Sequence, residues 1–478
     1  MIEQVSACIE SLRKALERCP WTRGNPNTRG LYTLTLPLHL EHIPVVGPLP
    51  RPFLVWARPD RQHYRIGVGS ALQVTTGGQE RFLQLQDCFD NITASWRCES
   101  MAEGASPPGA FCAFAFDGDD KMSGPWQGVA NSLIAIPEVL LEFKEARYTL
   151  SVSCQTERLQ APGMQIERWV NRTLALLTSL LTAGAKQERA NTLYQAPSEP
   201  PNGDWLRLVA MAREAIRNQE MVKVVPARHV RIRATQPFNE TAILKRLAQH
   251  YPTCLLLGLS LGSKTLIAAT PERLVSLTNG TISCDALGGT TARSGNPVQD
   301  NLLAHSLLQA PKTRHEHALV VDHLRQALRR VSAHVSIPNT PSVLPLGQLQ
   351  HLWTPIKAQC RPGISLLDLA AALHPTPAVA GTPVSVAKAW LARHEPFERG
   401  WYTGSIGWLQ PDGNGELVVL LRSALLADTQ ADLYAGAGIV ADSDPKQELA
   451  ETELKLGGVI RALTNERTDA EAHHVARP

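Results

Sequence analysis

The sequence contains no pair of cysteines spaced as Cys-x-x-Cys, and its nine cysteines are scattered at irregular intervals. This pattern argues against a zinc ribbon and against a thioredoxin-like redox motif. The first residues also lack the basic-then-apolar order of a signal peptide. An odd number of cysteines in such a chain is typical of reduced thiols in the cytosol, so the sequence predicts a cytoplasmic protein.

Long apolar runs and runs of like charge are missing too. No stretch approaches the ~18 consecutive apolar residues that a membrane-spanning helix needs, so we expect no membrane partner. The net charge is only +3 and the basic residues are scattered, so no nucleic-acid partner is expected either. The sequence has 478 residues, of which 44% are hydrophobic and 19% are charged. This balance is typical of a globular protein with a substantial core.

A change of composition near residue 195 divides the chain. Before it, short apolar segments bounded by Pro, Gly or Asp predict strands, and a helix is predicted over about 165–181. The Pro- and Ser-rich stretch 197–203 is typical of a boundary. We therefore predict an N-terminal α+β part over 1–195, a catalytic part over 196–465 and a flexible tail over 466–478.

After the boundary, helices and hairpins are mixed. Apolar periodicity predicts four helices, at 205–219, 240–250, 312–331 and 446–463. Strands are predicted at 221–232, 255–259, 266–269, 401–409 and 416–426, with hairpin turns at 279–280 and 411–415. Because the elements do not alternate strictly, the predicted class is α+β with large antiparallel sheets flanked by helices.

Three charged residues of the last predicted helix share one face. Glu448, Glu451 and Lys455 are spaced i, i+3 and i+7, and two carboxylates so close repel each other unless a cation, a proton or solvent screens them. The plainer interpretation is an exposed face on which Glu451 pairs with Lys455. Spacing alone favours that plainer interpretation.

The helix at 312–331 carries a further acid, Glu316, between His315 and His317. Two histidines at i and i+2 do not face each other on a helix, which disfavours zinc. A lone carboxylate there could be a solvated surface group. It could also converge with Glu451 on Mg²⁺, which takes hard oxygen ligands together with an anionic ligand and water.

Two charged residues lie in apolar surroundings. Lys223 lies inside an apolar strand, where burial would lower its pKa as a lysine base requires, although an edge strand facing water explains the pattern equally well. Glu272 follows a strand end at Pro271 and could be an ordinary turn carboxylate. The glycine pairs of 288–290 and 436–438, together with Arg422, are weak signals of an anion site.

Taken together, these segments resemble the chorismate-utilising enzymes, a family that includes isochorismate synthase, salicylate synthase, anthranilate synthase component I and aminodeoxychorismate synthase. Eight motifs occur in the family's order over residues 221–455, and weaker similarity extends to 108–117 and 135–137. The motifs are 223–228 (KVVPAR), 270–274 (TPERL), 286–290 (ALGGT), 314–317 (RHEH), 373–383 (LHPTPAVAGTP), 399–404 (RGWYTG), 421–424 (LRSA) and 435–455.

The resemblance implies an anthranilate synthase component I-like fold and an isomerase, isochorismate synthase, that converts chorismate to isochorismate with Mg²⁺. It assigns Lys223 as the base that activates water and Glu272 as the acid that protonates the leaving hydroxyl. It assigns Glu316, Glu451 and Glu448 to the metal site. Matching substrate-contacting positions are Gly289, Thr290, His374, Tyr402, Arg422, Gly436, Gly438 and Lys455.

The resemblance also implies a monomer without a glutamine amidotransferase subunit. The product could serve menaquinone, siderophore or salicylate synthesis. Three positions depart from the family pattern: Pro226 stands where Leu is common, Gly288 replaces Ala, and Thr313 replaces an acid that often assists the metal. Gly288 argues against aminodeoxychorismate synthase, which has a nucleophilic Lys there.

Two rival interpretations remain open. A salicylate synthase, which adds pyruvate elimination, shares Lys223 and Glu272, and only the longer N-terminal part favours an enzyme that stops at isochorismate. A catalytically inactive binding homologue is the second, and the intact set of Lys223, Glu272, Glu316 and Glu451 argues against it.

Overall fold

The computed structural model describes residues 2–18, 30–40, 47–181, 191–347 and 349–464. The predicted tail over 466–478 lies outside the described residues. The helices of the described part are α1 (Ile2–Arg18), α2 (Arg81–Ala94), α3 (Pro162–Leu181), α4 (Asn202–Arg217), α5 (Glu240–His250), α6 (Pro297–Gln309), α7 (Pro311–Val331), α8 (Leu366–Leu373), α9 (Val384–His394) and α10 (Pro445–Leu463).

The strands have two to twelve residues and are mostly paired antiparallel. They are β1 (Leu31–Leu38), β2 (Phe53–Arg58), β3 (His63–Val68), β4 (Leu72–Thr76), β5 (Trp96–Ser100), β6 (Ala110–Phe114), β7 (Ser132–Ile136), β8 (Val139–Lys144), β9 (Arg147–Gln155), β10 (Leu193–Gln195), β11 (Lys223–Val224), β12 (Ala227–Ala234), β13 (Leu255–Leu261), β14 (Lys264–Thr270), β15 (Arg273–Thr278), β16 (Thr281–Ala292), β17 (Ser332–Ser336), β18 (Ser342–Leu346), β19 (Leu349–Cys360), β20 (Gly381–Thr382), β21 (Ser405–Leu409), β22 (Gly415–Val419), β23 (Ser423–Ala427) and β24 (Gln430–Gly436).

Two large sheets hold most of these strands. One has twelve strands in the order β10-β12-β24-β23-β14-β13-β2-β3-β8-β9-β1-β5, and the other has ten, β17-β19-β16-β15-β22-β21-β6-β7-β4 with β18 beside β19. Every pair is antiparallel except β1 with β5. The predicted α+β class with large antiparallel sheets is confirmed.

The core has three layers, set by the alternation of side chains along the strands. Between the sheets, Leu257 of β13 belongs to the same buried cluster as Phe111 of β6. Leu256, one residue earlier, instead joins a cluster with side chains of α1, α3, α5 and α10 on the outer face of the twelve-stranded sheet. A further cluster packs α2, α7 and α8 against the ten-stranded sheet. Helices thus cover both outer faces.

Both sheets draw strands from both sides of residue 195. Strands β2 and β13 are neighbours in the twelve-stranded sheet, as are β6 and β21 in the ten-stranded sheet. The predicted division at residue 195 therefore does not separate two sheets. As a statement of which part carries the catalytic residues, it stays a prediction.

Helices α4, α5, α7 and α10 and the hairpin turns at 279–280 and 411–415 lie where they were predicted. Two predicted strands are wrong, because each is two strands. The segment 221–232 breaks at Pro226, which has no N–H to continue a ladder, and 416–426 breaks at Arg422, whose φ is +48°. At the second break the chain crosses from the ten-stranded to the twelve-stranded sheet.

Helices α1, α2, α6, α8 and α9 were not predicted. Within the described ranges, none of the helices combines the length and the apolarity that crossing a membrane requires.

Candidate active site

A cleft lies where β11, β16, β24, α7 and α10 approach one another. Its walls leave about 900 Å³ of space, the open mouth included, a size suited to a small-molecule ligand. Eleven residues predicted for the site line it: Lys223, Glu272, Gly289, Thr290, Glu316, Tyr402, Arg422, Gly436, Gly438, Glu451 and Lys455. Glu448 and His374 do not.

Lys223 is buried on the short strand β11, which pairs with β20. Its side chain passes Gly438, where an added Cβ would lie 3.0 Å from Cε and 3.3 Å from Nζ of Lys223, and 3.4 Å from Glu316 Oε2. Burial lowers the pKa of Lys223, although the nearby Glu316 carboxylate opposes that shift. The lysine does not lie on an edge facing water, so that alternative is wrong.

Glu272 is the second buried group on the cleft wall, at 4% exposure, directly after Pro271 at the end of β14. Its backbone carbonyl accepts a hydrogen bond from the N–H of Val419 at 3.0 Å, which fixes the turn to the ten-stranded sheet. Burial, assisted by the negative charge of Asp285, raises the pKa of Glu272 to about 8. A carboxyl in this state is protonated at neutral pH and can donate a proton.

Two glutamates on the cleft wall, Glu316 and Glu451, have a third, Glu448, close behind them. Glu448 is buried and accepts a hydrogen bond from Lys312 Nζ at 2.7 Å, while the same Nζ lies 4.0 Å from Glu316 Oε1. Glu451 pairs with Lys455 at 2.7 Å, as expected for an exposed helix face. Both residues line the cleft, however, so the expectation of a plain exposed face is correct only about the ion pair. Burial raises the pKa of Glu316 and of Glu448, and the neighbouring carboxylates add to both shifts.

These acids fit a Mg²⁺ ion that is completed by an anionic ligand. In the described part of the chain, no three His, Cys, Asp or Glu side chains converge as a ready-made metal site. Mg²⁺ is commonly held by one or two carboxylates together with a bound substrate, and Glu316 and Glu451 supply two on the cleft wall. The pKa values of Glu316 and Glu448 are raised first by burial and then by the neighbouring carboxylates, and a bound cation would favour the charged form of both. Glu448 lies behind them, with its Oε1 paired with Lys312.

The wall of the cleft also carries a positive charge, that of Arg422. Arg422 is buried, its guanidinium lies 5.2 Å from the ring centre of Tyr251, and it donates from Nη2 to His351 Nε2 at 2.9 Å. The other ring nitrogen of His351, Nδ1, lies 3.1 Å from both the carbonyl of Gly289 and Oγ1 of Thr290. Burial and the Arg422 charge lower the pKa of His351 well below its ordinary value.

His351 lines the cleft and was missed by sequence reasoning. Its local pattern is that of any residue on a long strand, and only the pairing of β19 with β16 brings it opposite Thr290. A neutral histidine there orients Arg422 and the bulge of β16 at Gly289 and Thr290 together.

Tyr402, Gly436 and Lys455 complete the wall. The ring of Tyr402 stacks on that of Tyr434 with 5.2 Å between centres, and burial raises the pKa of the Tyr402 hydroxyl. Lys455 Nζ donates to the carbonyl of Gly436 at 2.9 Å. A Cβ on Gly436 would lie 2.9 Å from the carbonyl oxygen of Pro226, so the close approach of the two strands requires glycine.

His374 is not on the cleft wall. Its Nε2 lies 3.1 Å from the carbonyl oxygen of Phe116, and its ring packs edge-on against Phe114 at 5.1 Å. Burial lowers the pKa of His374 to about 3. The structure therefore places this predicted substrate contact in an aromatic part of the core.

The three departures from the family pattern lie close to the cleft. Pro226 stands at the break between β11 and β12 and accepts a hydrogen bond from Ala437. Thr313 packs so closely on Gly289, whose φ is +65°, that an added Cβ there would lie 2.0 Å from Thr313 Cγ2. Gly288 lies against His317, with 3.3 Å between an added Cβ and Nδ1.

Comparisons with known proteins agree with the motifs. The family described as "Chorismate binding enzyme" matches residues 49–464. The chain is 33% identical to the salicylate biosynthesis isochorismate synthase of Pseudomonas aeruginosa over 86% of its own length and 85% of that protein.

Two solved structures share the fold. The menaquinone-specific isochorismate synthase from Escherichia coli matches with a TM-score of 0.78 at 24% identity, covering 96% of this chain and 100% of that one. Anthranilate synthase component I from Streptococcus pneumoniae matches with a TM-score of 0.66 at 20% identity, covering 88% of this chain and 95% of that one. At these identities they establish the fold alone, and the predicted anthranilate synthase component I-like fold is confirmed.

Proposed function

This chain belongs to the chorismate-binding enzymes, and on that basis we propose that it is an isochorismate synthase, an isomerase that converts chorismate to isochorismate. Chorismate as the substrate, Mg²⁺ as the cofactor and the residue roles below are all parts of the proposal. It is supported by the names of the relatives and by the chemistry of the cleft.

One observation carries the proposal: Lys223 and Glu272 are buried in the same cleft, and burial favours the uncharged form of each. A neutral amine can accept a proton, and a protonated carboxyl can donate one. A hydroxyl migration needs both at once, because water must lose a proton while a hydroxyl gains one.

In the proposed step, the Lys223 amine takes a proton from a water molecule as the water oxygen bonds to ring carbon 2. The ring double bonds shift, the bond from carbon 4 to its hydroxyl breaks, and Glu272 gives its proton to the departing oxygen. Water leaves, so the product is an isomer of the substrate. The lysine ends as an ammonium and the glutamate as a carboxylate, and return of one proton restores both.

Arg422 is placed to hold a substrate carboxylate, with His351 fixing its orientation. We assign Glu316 and Glu451 as the carboxylates that would hold Mg²⁺, with Glu448 beside them. When bound, the ion would neutralise a substrate carboxylate and draw electron density from the diene.

The direct test is to incubate the purified chain with chorismate and Mg²⁺ and to identify the product by NMR. Isochorismate is the expected product, and a matched sample with a chelator should form none. Salicylate and pyruvate in place of isochorismate would identify the rival salicylate synthase. Unchanged chorismate in the presence of Mg²⁺ would contradict the proposal and favour an inactive binding homologue.

Several related predictions remain proposals. They are a monomeric state, the absence of an amidotransferase subunit, a cytoplasmic location and the use of the product in menaquinone, siderophore or salicylate synthesis. Gly288 continues to argue against aminodeoxychorismate synthase.

A further inference from the structure

A buried ion pair adjoins the strand that carries Lys223. Its partners are Glu395, directly after α9, and Arg399, four residues later, and their side chains are only 4% and 3% exposed. The guanidinium meets the carboxylate at two points: Nε donates to Oε2 at 2.8 Å, and Nη2 donates to Oε1 at 2.5 Å. Neither side chain lines the catalytic cleft, so neither is placed to touch a ligand there.

The pair satisfies the backbone on both sides of Pro226, which has no N–H and separates β11 from β12. Just before the proline, the carbonyl of Val225 accepts a hydrogen bond from Arg399 Nη2 at 2.6 Å. Just after it, the N–H of Ala227 donates to Glu395 Oε1 at 2.8 Å. Val225 and Ala227 are buried, and a buried backbone group without a partner is costly. The ion pair thus takes the place of ladder hydrogen bonds that the break removes.

The same guanidinium also holds the segment that leads into β20, the partner strand of β11. Its Nη1 donates to the carbonyl of Val379 at 2.9 Å and to Oγ1 of Thr403 at 3.3 Å. Val379 lines the cleft and lies two residues before β20. A guanidinium has five N–H donors, and the contacts of Arg399 use all five. One side chain therefore joins the ends of both strands of the small sheet.

Lys223 depends on this small sheet for its place in the cleft. It lies two residues before Val225, on a strand of two residues. One side of that strand pairs with β20, and on the other side Val224 exchanges hydrogen bonds of 3.2 and 2.8 Å with Ile439. A strand this short has few ladder hydrogen bonds of its own, so the grip of the ion pair on its Pro226 end limits how far the lysine can shift.

We propose that Arg399 and Glu395 are positioning residues for the general base, an inference that rests on the function proposed above. They act through the backbone of β11 and hold Lys223 at the substrate, and the ion pair itself transfers no proton. The alternative is a pair that only stabilises the fold. In that case a change in the pair would lower the number of folded molecules, and each folded molecule would keep normal turnover.

The test combines conservative changes in the pair with removal of the base. Glu395→Asp keeps the charge beside Arg399 but is shorter by one methylene, so its carboxylate cannot hold both the guanidinium and the Ala227 N–H. We expect kcat for isochorismate formation to fall by about tenfold or more while KM changes by less than about twofold, because the lysine shifts and the substrate contacts remain. Arg399→Lys, with three donors in place of five, should act in the same way.

The decisive comparison is made in a Lys223→Ala background. There, Glu395→Asp should lower the residual rate by less than about twofold, because no base is left to position. A pair that only stabilises the fold would lower the rate by the same factor with and without the lysine. Product is measured after long incubations by chromatography, so that the slow variants can be compared.

Two exposed residues serve as matched controls: Arg393→Lys on α9 and Glu214→Asp on α4 should both match the wild type. Thermal melts should show that every variant is folded at the assay temperature. If the wild type forms isochorismate, the inference is wrong where folded Glu395→Asp and Arg399→Lys keep wild-type kcat, or where Glu395→Asp costs the same factor with and without Lys223. The proposed function would then still stand. A wild type that forms no isochorismate would contradict the proposed function, and this inference with it.

Discussion

At the scale of single residues, the site depends on burial more than on residue type. Lys223 and Glu272 are ordinary charged residues in the sequence, and only their enclosure makes the uncharged forms favourable. Neither the lysine's burial nor its approach to Glu316 could be deduced from the strand pattern, which equally allowed an edge facing water. The family motifs located both positions, while local physics left both open.

His374 and His351 show the limits of each kind of reasoning. His374 was assigned to the substrate site from a motif, yet it packs in an aromatic part of the core. His351 lines the cleft, yet it carries no local signal because its neighbours arrive from β16, about 60 residues away in sequence. Contacts of this kind follow from strand register, which is a long-range property.

The raised pKa of Glu272 has a consequence for stability. Its folded pKa of about 8 lies above the ordinary value of about 4, so the folded state binds the extra proton between these pH values. The contribution of Glu272 to the free energy of unfolding is therefore most favourable near pH 4. It becomes less favourable as the pH rises toward 8, because ionising the buried carboxyl is costly. Glu272→Gln removes this penalty, so the variant should melt higher than the wild type at pH 8, with little difference near pH 5.

Thermal melts of both proteins at the two pH values measure this effect, and Glu214→Gln, on an exposed glutamate of α4, serves as the control. An equal difference in melting temperature at pH 5 and pH 8 would show that Glu272 is ionised in the folded chain.

At the scale of elements, two breaks in the strands build the site. The break at Pro226 leaves Lys223 on a two-residue strand beside β20, and the break at Arg422 turns the chain from one sheet to the other. Both segments were predicted as continuous strands, because their apolar patterns continue through the break. The apolar pattern of a strand indicates which side chains are buried. It does not indicate which sheet the strand joins.

Gly438, which follows β24, lies against the side chain of Lys223 and limits where that side chain can be. Gly438→Ala would place a Cβ 3.0 Å from Lys223 Cε, which is too close unless the lysine moves. We expect kcat for chorismate to fall by about tenfold or more while the fold is retained, since displacement of a catalytic group by about 1 Å is costly.

Gly203→Ala is the matched control, because an added Cβ there meets nothing within 4 Å. It should leave kcat unchanged. Steady-state kinetics of the two variants decide the matter, and full activity of Gly438→Ala would show that Lys223 has freedom that the geometry does not suggest.

At the scale of the whole molecule, the sequence was enough to predict the fold class and most helices and strands after residue 195. It was not enough to predict how the strands assemble into the two sheets. Helix α5 was predicted with its bounds, because its apolar spacing is a local signal. The interleaving of β2 with β13 and of β6 with β21 is not local. The change of composition near residue 195 therefore predicted a boundary there, although both sheets contain strands from both sides of it.

This interleaving predicts that the catalytic part cannot fold alone. A fragment of residues 196–478 would lose β2 and β6 and expose the apolar faces of β13 and β21. We expect it to lack the cooperative thermal unfolding of the full chain. Calorimetry of the fragment measures this directly, and a sharp native-like transition would contradict it.

The central claim is that Lys223 is the base that activates water in the cleft. The measurement that tests it most directly is the rate of isochorismate formation by Lys223→Ala, with Lys245→Ala, on an exposed face of α5, as the matched control. Removal of a general base should lower kcat by about 10²–10⁴-fold with the fold intact, and the control should match the wild type. Wild-type turnover by folded Lys223→Ala would contradict the claim.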